Sequence, residues 1–373
     1  MEDKEDRSRA EMLIPVFGTP SALTVWMVHF ANVVLDIIAG DHHYVAAVFL
    51  SDVRDLWVQR RGRPVVFHSD VPEQAIVSLF LNSRTPMLLA CDDPLDSIGF
   101  AMAARTIDFR QAIRFVSQSY STLADLFCAP KAAIVGPEDM EQTLSDFTSR
   151  FLDLFAIPAT DLEKRQIVGR MLGDPDWERD ETIRRNISRH VPLARPLGEF
   201  ASSCTETERA LAQGILDQYS LVAARKPIES LSWPPGILPD WDLLESGITG
   251  LTGFKGLLGR GRILTAGHAL HLPRGNWRAS TQISVRGNFS GNYIACDVLL
   301  GDNSLGGIVA RLPEDGTFGF EFEFGIADAF QPAQFRLVLM EGAIEGELRI
   351  DSVRFDRIDE TKAFRGEPST LRR

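Results

Sequence analysis

The sequence predicts two parts in one chain: an α/β part with a parallel sheet flanked by helices, then an all-β sandwich or jelly roll. Three observations predict this. Up to about residue 225, short apolar runs alternate with segments of helical period, as expected of strands buried on both faces and the helices that cover them. Beyond about residue 250 the period falls to 2, the signature of half-buried antiparallel strands. Between them, Ser232-Trp233-Pro234-Pro235-Gly236-Ile237-Leu238-Pro239 packs three prolines and a glycine into eight residues, marking a linker or a domain-edge loop. The expected division is therefore 1–230, a linker over 231–254, and 255–373. A chain of 373 residues is long enough for two such domains.

The elements follow in order. Met12 to Phe17 is an apolar run that suits a buried strand, with Pro15 placing it at an edge or making its start irregular. Gly18-Thr19-Pro20-Ser21 is a turn signal, and an apolar helical run follows to Ile38. Val65-Val66-Phe67, Met87 to Ala90 and Ile134-Val135 read as further buried strands. Helical patterns lie at 71–82, 97–104, 109–127, 138–155 and 161–172, and the pattern from 178 to 224 is helical only. There Thr205-Glu206-Thr207-Glu208 fits a capping box. In the second part, Trp277, Ala279, Thr281, Ile283 and Val285 share one face of a strand. Phe318, Phe320, Phe322 and Phe324 form a stripe that belongs in a core. Similar runs occur at 293–300, 307–312, 334–340 and 346–356. Turn signals at Arg286-Gly287-Asn288, Gly301-Asp302-Asn303 and Glu314-Asp315-Gly316 separate them.

Composition excludes several roles. With 39 Lys and Arg against 51 Asp and Glu, the formal charge is -12, which disfavours nucleic acid and an anionic membrane face. Cys91, Cys128, Cys204 and Cys296 are far apart with no C-x-x-C pair, so reduced thiols in a cytoplasmic protein are expected rather than a zinc ribbon or a disulfide framework. No apolar core of signal-peptide type follows the charged start, and Leu23 to Ile38 is broken by His29, Asn32 and Asp36. Neither a signal peptide nor a membrane span is expected.

Candidate chemistry is sparse. A glycine turn between a buried strand and a helix can hold a phosphate on backbone N–H groups, but here it lacks G-x-x-x-x-G-K-[ST] and G-x-G-x-x-G. Asp41-His42-His43, in a polar loop after the first helix, is the densest set of candidate bases; the same residues also suit a solvated loop. His29 reads as a core histidine. Arg60, Arg61 and Arg63 form a basic run that either meets an anion or is solvated. His268 and His271 lack carboxylate company, so no metal site is expected.

Phe17-Gly18-Thr19-Pro20-Ser21-Ala22-Leu23-Thr24-Val25-Trp26 resembles the 5′-phosphosulfate loop of the sulfotransferase family, usually G-x-P-[RK]-S-G-T-T-x-[LW]. Met87 to Ser97, which includes Asp92-Asp93-Pro94-Leu95-Asp96, is similar to that family's strand leading into R-D-P-x-D. Val135-Gly136-Pro137-Glu138-Asp139-Met140 resembles its V-x-Y-E-D-L. The resemblance covers about residues 12–225 and implies a P-loop-like α/β fold whose donor, 3′-phosphoadenosine 5′-phosphosulfate (PAPS), would sit on Gly18, Thr19, Pro20, Ser21 and Thr24. The departures fall on the phosphate clamps. Ser21 takes the Arg/Lys position, Ala22 the Ser, Leu23 the Gly and Asp92 the Arg, and the serine of the second motif falls near Phe100. Each lost charge-assisted contact costs on the order of 1.5–3 kcal/mol, so PAPS affinity is expected to fall by several orders of magnitude and no cofactor is expected. A transferase with a changed donor would need a pocket lined by other cations, such as Arg54, Arg60 or Arg105. An adaptor would have that pocket filled by Leu23 or Phe100.

Gly346 to Phe355, reading G-E-L-R-I-D-S-V-R-F, resembles the closing strand of carbohydrate-binding jelly rolls. This implies a sandwich over about residues 255–358 and glycan as a partner. Sugar binding needs aromatic faces beside amides and charged groups. Trp277, in register with Ile283 and Val285, reads as core, which leaves Tyr293 with Arg274, Asn276, Asn288 and Asn292 as candidates, and the loops Arg274-Gly275-Asn276 and Gly287-Asn288-Phe289 stay open as glycan sites. The combined expectation is a sulfotransferase-like protein that acts on or binds a bacterial surface polysaccharide or glycan, with its donor-binding residues lost. The alternative is a non-catalytic adaptor for a polysaccharide biosynthesis enzyme.

Overall fold

The structure, a computed structural model, describes residues 12–83, 85–174, 180–193, 204–238, 253–266 and 270–358. The chain forms two compact units, one of residues 1–204 with 222–226 and one of residues 205–221 with 227–373. His268 and residues 239–252 of the expected linker lie outside the described residues.

The first unit is an α/β fold. Its five strands are β1 (Leu13–Gly18), β2 (His43–Ala46), β3 (Val65–Ser69), β4 (Met87–Ala90) and β5 (Ala132–Val135), in the order β2-β3-β1-β4-β5 and all parallel. Pro15 does not put β1 at an edge; β1 is central. The Val65 N–H bonds the Met12 carbonyl, so by alternation the missing Pro15 N–H would face β4. Pairing with β4 begins only at Val16, so no ladder bond is lost. Helix α1 (Ala22–Ile38) buries Trp26, Met27, Phe30, Val34 and Leu35. Its rings pack on Phe147 and Phe151 of α6 (Leu144–Leu154). The Trp26 Nε1–H donates to buried Asn186 of α8 (Ile183–His190) at 2.8 Å. Among the described residues the further α-helices of this unit are α2 (Leu50–Gln59), α3 (Gln74–Ser83), α4 (Pro94–Arg105), α5 (Phe109–Phe127) and α7 (Asp161–Leu172).

The second unit opens with α9 (Glu206–Tyr219), capped by reciprocal Thr205 and Glu208 bonds. It continues as two antiparallel sheets. One has the order β11-β10-β13-β8, from Asn303–Arg311, Tyr293–Leu300, Ala333–Leu339 and Arg262–Ala266. The other has the order β12-β9-β14-β6, from Gly316–Ile326, Gly275–Arg286, Glu347–Ile358 and Ser230–Trp233, and β7 (Lys255–Gly256) also pairs with β14. Leu231 to Trp233, at the start of the expected linker, are thus sheet residues. Phe320 and Phe324 are buried and Phe318 and Phe322 half-buried, while Glu321 and Glu323 are exposed. Trp277 is fully buried, its Nε1–H donating to the Pro273 carbonyl at 2.9 Å.

Candidate functional site

In an open parallel sheet, ligands sit beyond the carboxyl ends of the strands where the chain reverses its direction of travel across the sheet. Here that point is the turn after β1. Its residues are closed on one another. Ser21 is the N-cap of α1 and its Oγ accepts the Thr24 N–H at 3.1 Å. The Thr24 hydroxyl donates to the Thr19 carbonyl at 2.6 Å. The Thr19 N–H donates to the Ala90 carbonyl at 3.0 Å, and the Thr19 hydroxyl takes hydrogen bonds from the Asp92 N–H and the Ser97 hydroxyl, each at 3.4 Å. Thr19, Ser21 and Thr24 are buried, and a Cβ on Gly18 would meet Thr24 Oγ1 at 2.4 Å. The glycine is needed for internal packing.

The field at this turn is negative. Asp92, 8% exposed, has its carboxyl raised to about 7, first by burial and then by Asp96 and Asp93, against the Asp93 N–H it accepts at 3.0 Å. Asp96 is raised to about 6 by burial and by Asp93. Arg184 opposes both shifts, and its Nε is bonded to Glu141 at 2.5 Å. A phosphate dianion at this turn would face the buried Asp92 carboxyl and hydroxyls already committed. The residues present do not fit PAPS.

A crevice of about 500 Å³ does open beside the turn, lined by Pro20, Ser21, Thr24, His68, Asp70, Phe100, Arg105 and His190 among others. Leu23 is buried in the core and does not fill it, and Phe100 lines it. The Arg105 guanidinium that borders it is paired with Asp70 at 3.0 Å. His68 ends β3. Its Nδ1 lies 3.0 Å from the Val16 carbonyl, which only accepts, so Nδ1 carries the proton. Burial holds the ring below the ordinary histidine range, against Asp70 and the Val16 bond. The neutral ring then keeps Nε2 as a proton acceptor. Sequence reasoning missed His68; the available signal was its place at the carboxyl end of the run Val65-Val66-Phe67.

The expected base cluster lies elsewhere. His43 pairs with Val65 at the amino end of the sheet, so Asp41, His42 and His43 are about 16 Å of strand away from Gly18. Instead of a loop, His43 opens the edge strand β2. Both ring nitrogens of His42 are engaged, Nε2 with Asn32 Oδ1 at 2.8 Å and Nδ1 with Asp36 at 3.2 Å, so it fastens the chain to α1. Asp41 pairs with Arg63 at 3.2 Å. His43 borders a second cavity, of about 600 Å³, with Asp41, Gln59, Arg61 and Arg63. His29 is exposed rather than in the core, and its ring lies tilted against that of His190, 4.8 Å between centroids.

In the second unit the structure separates the expected sugar-binding residues. Arg274 and Asn276 flank the start of β9, the Arg274 carbonyl accepting from Arg357 at 3.1 Å, while Tyr293 opens β10 beyond the far end of β9. The twelve residues of β9 put about 35 Å between them. Tyr293 has other company on the outward face of its own sheet. Alternation places Asp297 on the same face, directly across from Arg336, with two bonds at 3.0 and 2.6 Å. That contact raises Arg336 further above its ordinary value. Gly307, opposite Asp297, keeps this face open, since a Cβ there would meet Asp297 Cβ at 2.6 Å.

No family model matches the chain, and no curated protein does. Similar solved structures include a mouse sulfotransferase, SULT7A1, complexed with PAP, at 10% identity and a TM-score of 0.34, over 56% of this chain and 84% of that one. They also include the C-terminal CBM6 of a laminarinase, LamC, from Zobellia galactanivorans, at 16% identity and a TM-score of 0.19, over 25% of this chain and 71% of that one. A third is TmCBM61 in complex with β-1,4-galactotriose, at 18% identity and a TM-score of 0.21, over 27% of this chain and 67% of that one. None of these likenesses bears on function. The fold class rests on the chain itself: a parallel α/β unit and an antiparallel two-sheet unit.

Proposed function

We propose that this protein is a glycan-binding protein built on a sulfotransferase-like α/β unit that has given up its PAPS site. The observation that carries the reading is the buried Asp92 carboxyl beside a turn whose hydroxyls bond one another, where a donor would need guanidinium groups. The glycan surface is the outward face around Tyr293. Its ring offers a flat apolar surface to sugar C–H groups, and the Arg336–Asp297 pair offers donors and acceptors to hydroxyls. The chain would then work on the cytoplasmic side on a surface polysaccharide, holding it for a partner biosynthetic enzyme. A second reading, in which the protein itself acts on the glycan with a different donor, is favoured by one observation: His68 borders an open crevice with its Nε2 an acceptor.

The test is a glycan array with the full chain, followed by calorimetry with PAPS and with the best glycan. The expected result is glycan signal that Tyr293→Ala and Arg336→Ala each reduce by about tenfold or more, with no saturable heat from PAPS. Loss of glycan signal on His68→Ala, with Tyr293→Ala unaffected, would move the site to the crevice. Micromolar binding of PAPS would overturn the reading.

A further inference from the structure

The largest exposed apolar side chains of the second unit gather at one end of it. Leu258, Phe289 and Ile344 are 70%, 71% and 76% exposed. They come from three loops, between β7 and β8, β9 and β10, and β13 and β14, and hydrogen bonds tie these loops together. Gly259 and Ala343 exchange two backbone bonds, at 2.9 and 2.8 Å, which sets Leu258 beside Ile344. The Ser290 N–H and hydroxyl both donate to Glu345, which ties the loop of Phe289 to the loop of Ile344. Met340, also exposed, is joined through its N–H to the Tyr293 carbonyl at 2.9 Å.

These side chains are displayed by anchored backbone. The residue under Phe289, Asn288, is buried, and its amide donates to the carbonyls of Leu312 and Pro313 at 3.1 and 3.0 Å and accepts from Asn292 at 2.6 Å. Gly287 and Gly291 flank the loop tip with φ of 61° and 65°, so the turn is fixed by residues that tolerate left-handed backbone. Holding large apolar groups in water on fixed loops forgoes the free energy of burying them, and several of them on linked loop tips mark an interaction surface.

We propose that this end of the sandwich docks on a zwitterionic lipid surface, with Leu258, Phe289 and Ile344 entering the acyl boundary. Three features select that occupant. The apolar groups are separate projections from linked loop tips, which a fluid layer accommodates. Two of the three are aliphatic and branched, so they lack the flat ring face on which sugars stack. The charge at this end is mixed: Arg260 and Arg311 are exposed beside the tips, and Glu345 and Asp315 are turned onto loop N–H groups. Glu314 and Glu341 are also exposed here, so headgroups carrying both a phosphate and an ammonium complement this end better than anionic lipid does.

The test is flotation of the full chain with phosphatidylcholine vesicles, repeated with phosphatidylglycerol added. The protein is expected to float with phosphatidylcholine alone. Leu258→Ser, Phe289→Ser and Ile344→Ser combined are expected to lower the partition coefficient by at least about tenfold. All three positions are at the surface, and an unchanged urea transition verifies the fold. A Phe289→Trp variant is expected to shift its emission to the blue on vesicles. Failure of the wild-type chain to float, equal flotation of the triple variant, or flotation only with phosphatidylglycerol would each overturn the proposal. So would a Phe289→Trp signal that answers to a soluble glycan and not to vesicles.

Discussion

Replacing Asp92 with asparagine is expected to stabilise the α/β unit at alkaline pH and to leave it unchanged in acid. The carboxyl is held at about 7 by burial and by neighbouring acids, against an ordinary 3.8. A carboxyl raised in this way binds its proton more tightly in the folded state, so its contribution favours the fold at low pH. That contribution is lost between 3.8 and about 7, as pH rises through the folded value. The full gap corresponds to about 4 kcal/mol; local relaxation brings a realistic share to ~2 kcal/mol. Asparagine removes the charge and keeps an oxygen to accept the Asp93 N–H that Asp92 now holds at 3.0 Å. Urea unfolding at about pH 8 should then show a midpoint roughly 1 M higher in Asp92→Asn than in the wild type, with the two curves coinciding near pH 4. A midpoint that falls on substitution, or a difference independent of pH, would mean that the carboxylate is held by a favourable partner. The electrostatic case against a phosphate donor would then fail.

Other substitutions probe the same geometry. Gly18→Ala is expected to cost about 1–3 kcal/mol in the same urea assay, because its Cβ would press on Thr24 Oγ1 and on the Ala90 carbonyl at 2.8 Å. Asn186→Ala leaves the Trp26 indole N–H without its 2.8 Å acceptor and takes one of two donors, the other being the His190 ring, from the Met171 carbonyl. It should destabilise the unit by about 2–4 kcal/mol, with a red shift of tryptophan emission if the packing around Trp26 loosens. In the sandwich, a double-mutant cycle of Arg336→Ala and Asp297→Ala should return a coupling of about 1 kcal/mol, since the pair is bidentate and only partly exposed.

Much of the fold was legible in the sequence, because the main strands are either apolar throughout or strictly alternating. Helix α5 falls at the expected residues 109–127, and the face shared by Trp277, Ile283 and Val285 lies in the core. The misses share a cause. Edge strand β2 has one buried residue, Val45, and helix α2 also has one, Val53, so neither leaves an apolar period to read. Pro15 pointed to an edge only because sequence does not say which flank of a strand lacks a neighbour. The candidate sites were less legible still. The negative turn followed from Asp92 alone, but the separation of Asp41, His42 and His43 from Gly18 depends on which end of the sheet each loop joins. Arg274 and Asn276 lie close to Tyr293 in sequence and far from it along the length of β9. His68 carried no pattern of its own; its tautomer is set by the Val16 carbonyl, 52 residues away in the chain.

The most direct measurement is a crystal structure of the full chain soaked in 3′-phosphoadenosine 5′-phosphate. The expected map shows the Thr24 hydroxyl still bonded to the Thr19 carbonyl and no nucleotide beside Asp92. A phosphate group seated on the backbone between Thr19 and Thr24 would contradict the central claim.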